Sequence, residues 1–369
     1  MPSPVASLNW GQWVKLICGA SFQDMSVVRN LALIFTLAGV DCIDVAADPA
    51  VVRVVKEGID KAVTLTPKAK TRGYGAAFRP WIMVSLNVGE DPHFRKAIFD
   101  PRDCPSDCPR PCESICPVQA IAFSPPHFSG VIEARCYGCG RCLPTCPQSL
   151  ISAQSYVASP EVIAPLIASG VVNAIEIHTQ VGQEKAFAEL WHQISPWSES
   201  LQLLAISCPN HLNVVDYLQV LHDIVSPLPC ILLWQADGRP MSGDIGKGTT
   251  HAAIKLAQKL LNAGLSDYIQ LAGGTNHYTA TKLRSLGLLN PQKESRAPIA
   301  GIAYGSYARS LLLPILDKLD KLHQSFRYQD RLSLKLEDYD EWLWPAVSLA
   351  NGLVSQSKSC SGLKNAIPE

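Results

Sequence analysis

Eight of the thirteen cysteines fall between residues 104 and 146, and no other feature restricts the fold so sharply. The second half of this stretch reads Cys136, Cys139, Cys142, Cys146 and then Pro147, a C-x2-C-x2-C-x3-C-P run. The first half reads Cys104, Cys108, Cys112, Cys116 and Pro117, with three residues in every gap. Its ending, Cys112-Glu-Ser-Ile-Cys116-Pro117, matches Cys142-Leu-Pro-Thr-Cys146-Pro147 at an offset of thirty. Thiols packed this densely need metal or oxidation to hold them, and the repeat points to metal.

The second run has the ligand spacing of a bacterial [4Fe–4S] ferredoxin. Three thiolates two residues apart on a tight loop each reach one iron of a cubane. The cysteine before the proline turns away to the other cluster. Gly138 and Gly140 are expected to let backbone N–H groups approach the cluster sulfurs, which tunes the potential. The paired C-x3-C-P ending predicts two [4Fe–4S] clusters with crossed ligation. Cys104, Cys108, Cys112 and Cys146 would hold one, and Cys136, Cys139, Cys142 and Cys116 the other. One cluster with spare thiols is the main alternative. Structural zinc suits C-x2-C pairs but not this repeat, and a disulfide framework belongs to small secreted domains. Pro105, Pro109 and Pro111 offer no N–H, and Asp107 adds negative charge. The cluster of the x3 run is therefore expected to be the less protected one.

A chain of 369 residues can bury a large core, as two average domains or as one barrel with an insertion. Its 32 Lys and Arg balance 32 Asp and Glu, so nothing suggests nucleic acid or an anionic membrane as partner. No apolar run reaches the roughly 18 residues of a spanning helix. The N-terminus has neither signal-peptide nor transit-peptide character, and a reducing cytoplasm is the expected compartment. Cys18, Cys42, Cys208 and Cys230 sit in apolar strand-like runs and read as buried small hydrophobes.

Along the chain, residues 1–12 read as a flexible lead. Eight strands are then predicted at 13–19, 41–45, 80–87, 172–178, 201–208, 230–234, 268–271 and 299–303. Helical periodicity separates them at 24–37, 49–58, 161–168, 183–194, 214–225, 249–263, 280–286 and 307–319, with 60–78 irregular. Alternation implies a parallel sheet, and eight strands close a (β/α)8 barrel; a doubly wound open sheet is the alternative. The barrel-like α/β domain would comprise 13–90 and 157–320. Residues 91–156 form an inserted ferredoxin-like module, whose spacer 117–135 supplies the strand pairs. Residues 321–369 are a C-terminal tail, packed on the barrel through Trp342 and Trp344 to about Val354, with the last fifteen residues disordered.

Barrel chemistry collects at the strand ends, which here carry Gly19, Asp44, Asn87, His178, Cys208, Asp237 and two glycine turns. The turns Leu271–Asn276 and Gly301–Ser306 follow strands seven and eight, where many barrels bind a phosphate. Gly273, Gly274, Gly305 and Ser306 are the candidate cofactor-binding residues, although glycines that merely make tight turns are the plainer reading. Gly243-Asp-Ile-Gly-Lys-Gly-Thr249 lacks the Ser or Thr directly after Gly-Lys and so fails as a nucleotide loop; it reads as a mobile loop after strand six. His178 could serve as a base, but a lone histidine at a strand end is more often structural. Tyr304 and Tyr307 read as barrel packing. No Ser/His/Asp or paired-carboxylate constellation is visible.

Three stretches taken together resemble the light-dependent period family of cyanobacteria. They are WVKLICGASFQDMSVVRNLALIFTLAGVDCIDVAAD, the pair CPSDCPRPCESICP and CYGCGRCLPTCP, and DGRPMSGDIGKGTTHAA. The resemblance implies a redox-active iron–sulfur protein that feeds light-dependent redox state into the circadian clock. It also implies association with clock-input and oscillator proteins, and a quinone or electron-transport component is the expected electron partner. Only the eight cysteines carry over as functional residues. A non-catalytic sensor is therefore expected rather than an enzyme. The alternative is a barrel oxidoreductase, flavin-dependent or otherwise, wired by the clusters. A convergent acid/base group at the barrel mouth would separate the two.

Overall fold

The computed structural model describes residues 3–74, 78–123, 130–239, 246–265, 268–289, 297–325 and 335–358, the side chains of 320–325 excepted. Twelve strands occur among the described residues. In chain order they are β1 (Trp13–Gly19), β2 (Cys42–Ala46), β3 (Trp81–Asn87), β4 (Arg95–Ile98), β5 (Ile121–Ala122), β6 (Gly130–Val131), β7 (Ser152–Ser155), β8 (Ala174–His178), β9 (Leu203–Pro209), β10 (Ile231–Asp237), β11 (Tyr268–Ala272) and β12 (Gly301–Tyr304). Eight of them close a barrel in the order β1-β12-β11-β10-β9-β8-β3-β2, every pairing parallel. The chain is a (β/α)8 barrel, not an open sheet. The excursion that carries the eight cysteines leaves after β3 and returns before β8. It contains two antiparallel pairs, β4 with β7 and β5 with β6.

Strands buried on both faces read as continuous apolar runs. Val14, Leu16, Ile43, Val45, Val84, Leu86, Ile175 and Ile177 face outward under the helices. Trp13, Cys42, Met83, Ala174, Leu203, Ala205 and Leu233 fill the lower lumen, and Leu8 closes it from below. Leu8 lies on a helix, Pro4–Asn9, capped by the Ser3 hydroxyl. Residues 3–12 thus plug the barrel and are not a flexible lead, because Leu8 on this helix is buried against the lower lumen.

The middle of the lumen is polar. Lys15 is fully buried and ion-paired with Glu176, and Asp44 lies 3.7 Å from the same ammonium. Ser85 donates to Asp44 at 2.8 Å and Gln235 to Glu176 at 2.5 Å. Gln270 donates to Gln235, and the Trp13 indole to Gln270 at 2.8 Å. Burial alone would neutralise these charges, but they satisfy one another. Glu176 is held near 2 against its own burial by Lys15 and His178, whereas burial outweighs Lys15 at Asp44 and lifts it to about 6.

Two other sequence expectations change. The second helix does not stop near Gly58 but runs Pro49–Thr71, so 60–71 is helical rather than irregular. Gly58 is there for packing: a Cβ would run into the Arg29 carbonyl of the neighbouring helix Met25–Ala38. At the C-terminus, a helix Asp340–Lys358 continues past Val354, and residues 359–369 of the expected disordered end lie outside the described set. Trp344 stacks on Tyr74 with centroids 6.0 Å apart. Lys358 reaches Asp41 at 2.6 Å and Ser7 at 3.2 Å, tying the tail to β2 and the plug. The Gly243–Thr249 loop begins within 240–245, outside the described residues. Cys18, Cys42 and Cys208 are buried, and Cys230 partly so.

Lys15→Met should destabilise the barrel by about 3–5 kcal/mol, because it leaves Glu176 charged, buried and uncompensated. Lys56→Ala, which removes an exposed ion pair with Asp60, should cost less than about 0.5 kcal/mol. Urea midpoints followed by far-ultraviolet dichroism test this, and equal shifts would sink the role given to the buried pair.

Candidate iron–sulfur site and barrel mouth

The two C-x3-C-P endings fold alike. Cys112 lies in the short helix Pro111–Ile115 and Cys142 opens the helix Cys142–Thr145. Cys116 and Cys146 cap those helices in extended conformation, with ψ of 112° and 115°. A residue before proline is driven out of the helical region, and this swings each capping thiol away from its own run. Cys104 hydrogen-bonds Cys108 and feels the charge of Cys146, as Cys112 feels Cys146 and Cys104. Cys116 faces Cys139, and Cys142 faces Cys139, Cys136 and Cys116. Cys104, Cys108, Cys112 and Cys146 thus influence one another's charge, as do Cys116, Cys136, Cys139 and Cys142.

Burial pushes the Cys142 thiol up to about 12, and its three cysteine neighbours push the same way. Thiolates this close repel one another, so they need a cationic core between them. A pocket lies among Cys116, Cys136, Cys139 and Cys142, with Val118, Ile121 and Tyr137 in its wall. Backbone N–H groups already point at its sulfurs: Ala97 donates to Cys136 at 3.3 Å and Ala120 to Cys116 at 3.1 Å. Donor set, cavity and N–H groups fit an iron–sulfur group. In the other quartet burial works against the Cys146 thiolate, yet backbone N–H groups of residues 148–151 hold its pKa below the ordinary value. The prolines of the first run thus do not leave that quartet without donors.

Gly138 and Gly140 serve a purpose the motif did not reveal. Both have φ of 73°, and the loop wraps the Arg95 strand so closely that a Cβ on Gly138 would overlap the Arg95 carbonyl. Arg95 in turn donates to the Gly138 carbonyl at 2.9 Å.

The module is bolted to the barrel at several points. Asn87, at the end of β3, donates to the carbonyls of Gly89 and Tyr156 and accepts from Ala158 N–H, so it seals both the exit and the return of the chain. Lys96 reaches Gln23 and the Glu133 carbonyl, each at 2.8 Å. Arg309, on the helix after β12, donates to the carbonyls of Ile17 and Cys18 and stacks on Tyr137 at 4.4 Å. Tyr137 stands next to Cys136, so one ring contacts both the thiol cavity and the barrel.

Above the lumen a cavity opens at the C-terminal ends of the strands. Gly273, Gly274, Gly305 and Ser306 all line it, beside Arg309 and Tyr307. Tyr304, by contrast, is fully buried packing. At the base stand His178, Asp237 and Glu176 from the strands and His93 from the module. His178 donates toward Glu176 at 3.0 Å. Burial disfavours a charged imidazole there, but Glu176, Asp91 and Asp44 raise its pKa to about 9. Burial also opposes the charge on Asp91, which His93 and His178 nonetheless hold near 2. A convergent titratable group therefore exists, where the sequence showed none. Lys15, Asp44 and Glu176 were readable as charges at alternate positions of apolar strands. Asp91 and His93 carried no such signal, because only the fold of the inserted module brings them over the barrel.

A profile described as "LdpA Fe-S cluster-binding domain" matches residues 104–157, and "Light dependent period A C-terminal domain" matches 166–356. "Light dependent period A" of Synechococcus elongatus is 49% identical over 97% of this chain and 95% of that protein. The chain belongs to the light dependent period A family. Among solved structures, tryptophan synthase of Mycobacterium tuberculosis superposes with a TM-score of 0.39 at 10% identity, over 96% of this chain and 95% of that one. Its aminoacrylate-bound form scores 0.37, also at 10% identity, over 96% and 100%.

Gly138→Ala should cost more than the roughly 1–3 kcal/mol of a strained backbone alone, and should shed iron from the module. Gly170→Ala, also at positive φ but beside open space, should pay only the backbone cost. Thermal midpoints with iron assays compare them, and equal losses would refute the close-contact role.

Proposed function

We propose that this chain is an iron–sulfur redox sensor that conveys light-dependent redox state to the circadian clock. Two [4Fe–4S] clusters would be held by Cys104, Cys108, Cys112 and Cys146, and by Cys116, Cys136, Cys139 and Cys142. The observation that supports the reading is that Cys104, Cys108, Cys112 and Cys146 influence one another's charge, as do Cys116, Cys136, Cys139 and Cys142. Such clusters, when bound, supply one-electron exchange at potentials set by hydrogen bonds and solvent exposure. The chain's own residues supply the rest. Ala97 and Ala120 N–H groups stabilise thiolate charge, Gly138 clasps Arg95, and Tyr137 against Arg309 links the cluster loop to the barrel. Clock-input and oscillator proteins are the proposed partners, with a quinone or electron-transport component as electron source. In a cyanobacterial host lacking its own family member, the wild-type chain should restore light-dependent clock period. A chain carrying Cys108→Ser with Cys139→Ser should not, and restoration by that variant would sink the sensor reading.

A second reading, a barrel oxidoreductase, is favoured by one observation: Gly273, Gly274, Gly305, Ser306 and Arg309 share a cavity with His93, His178 and Asp237. Stoichiometric flavin in protein purified without oxygen would favour this reading over the sensor.

Protein purified without oxygen should carry about eight irons and eight sulfides; four irons, or zinc instead, would overturn the two-cluster assignment. The quartet of Cys104, Cys108, Cys112 and Cys146 should fail first in air. Only Cys112 is buried there, against Cys136 and Cys142 in the other. Stepwise air exposure of Cys139→Ser, which leaves the outer quartet, beside Cys108→Ser, which leaves the inner one, decides it by paramagnetic resonance. Equal lifetimes would remove any meaning from the x3 spacing.

A further inference from the structure

Asp91, His93 and His178 each place one donor atom within 4.8 Å of the others, and His93 and His178 line the barrel-mouth cavity. Asp91 Oδ1 is 2.7 Å from His93 Nδ1 and 4.0 Å from His178 Nδ1. Metal–ligand bonds of about 2.0–2.2 Å put neighbouring donors about 3–3.5 Å apart, a spacing these two distances bracket. Three donors of two imidazoles and one carboxylate suit a divalent first-row transition ion and leave further positions open.

The far side of each ring is the second observation. A metal-bound histidine almost always donates its other N–H to a carboxylate or carbonyl, which fixes tautomer and orientation. His178 Nε2 lies 3.0 Å from Glu176 Oε1, and His93 Nε2 lies 3.6 Å from Asp237 Oδ2. Both imidazoles thus turn one nitrogen toward Asp91 and the other toward a buried carboxylate. Glu176 is itself fixed by Lys15 and Gln235. Asp237, 4% exposed, keeps its Oδ1 without a hydrogen-bond partner at the cavity wall.

We propose that Asp91, His93 and His178 bind one divalent transition-metal ion, with Glu176 and Asp237 as positioning residues and the open coordination positions facing the cavity. The iron–sulfur quartets take no part in this site. Its donors are nitrogen and oxygen, and they join the barrel strand β8 to the first turn of the inserted module. The ion would pin that module over the barrel and present one or two exchangeable positions to a small oxygen-bearing ligand beside Arg309 and the Gly273 turn.

The test uses the full chain with its clusters loaded, under nitrogen, equilibrated with zinc. Zinc, iron and sulfide are counted together, so zinc that displaces iron at the thiols appears as iron lost. The expected result is one zinc per chain beyond the clusters. Asp91→Asn and His93→Gln should each weaken its binding at least 100-fold with iron content unchanged. Asp237→Asn, which touches no metal, should weaken it about 10–100-fold. No zinc beyond the clusters, or unchanged affinity in both Asp91→Asn and His93→Gln, would overturn the site. If those variants fold poorly, X-ray absorption of the zinc-loaded wild type decides: nitrogen and oxygen neighbours at about 2.0–2.2 Å support the site, and sulfur neighbours at about 2.3 Å refute it.

Discussion

A fully buried ammonium, Lys15, paired with a fully buried carboxylate, Glu176, sets the interior of this barrel. Neither charge would survive alone at that depth, so each strand that contributes to the pair must hold its register. Asp44, Ser85, Gln235 and Gln270 complete the layer from other strands. The layer divides the lumen into an apolar plug below and a polar mouth above. It also reaches upward, because the same Glu176 carboxylate fixes the His178 ring. A pair that contributes to folding thereby prepares a titratable group at the place where barrels conduct chemistry.

The module that carries the cysteines is joined to that mouth. It departs after Asn87, whose side chain ties down both strands of the excursion. It returns Tyr137 to the barrel, where Arg309 meets the ring and the carbonyl end of β1. One aromatic ring therefore belongs to the wall of the thiol cavity and to the wall of the barrel cavity. This ring and this guanidinium join the inner thiol pocket to the barrel. That contact gives a sensor a path into the barrel, and it gives an oxidoreductase a short distance between electron store and substrate. The fold serves either use, and the mouth's chemistry separates them.

The two quartets are unlike in their surroundings. The inner one sits among Val118, Ile121 and Tyr137 with two buried sulfurs, and the outer one has a single buried sulfur. Both receive backbone N–H groups, so the difference between them rests on exposure to solvent rather than on a shortage of donors. Solvent exposure acts on the potential and on access by oxygen alike.

Much of this was legible in the chain itself. The C-x3-C-P repeat predicted that the cysteine before each proline leaves the helix of its own run, because proline drives the preceding residue out of the helical region, and Cys116 and Cys146 are both extended. Eight apolar strands alternating with helices predicted a parallel sheet covered on both faces, and the pairing of β1 with β12 decided that it closes into a barrel. The glycine turns after strands seven and eight were placed at the mouth by topology alone. Other features depended on contacts between distant segments. Residues 1–12 read as a flexible lead, and contact of Leu8 with the barrel floor accompanies the helix Pro4–Asn9. Gly58 reads as a helix stop until the Arg29 carbonyl stands against it. Asp91 and His93 are unremarkable in sequence, since nothing local says that the insertion will fold back over His178. Alternation and spacing are local properties that a sequence carries, whereas a site assembled across an insertion exists only once the loop has closed.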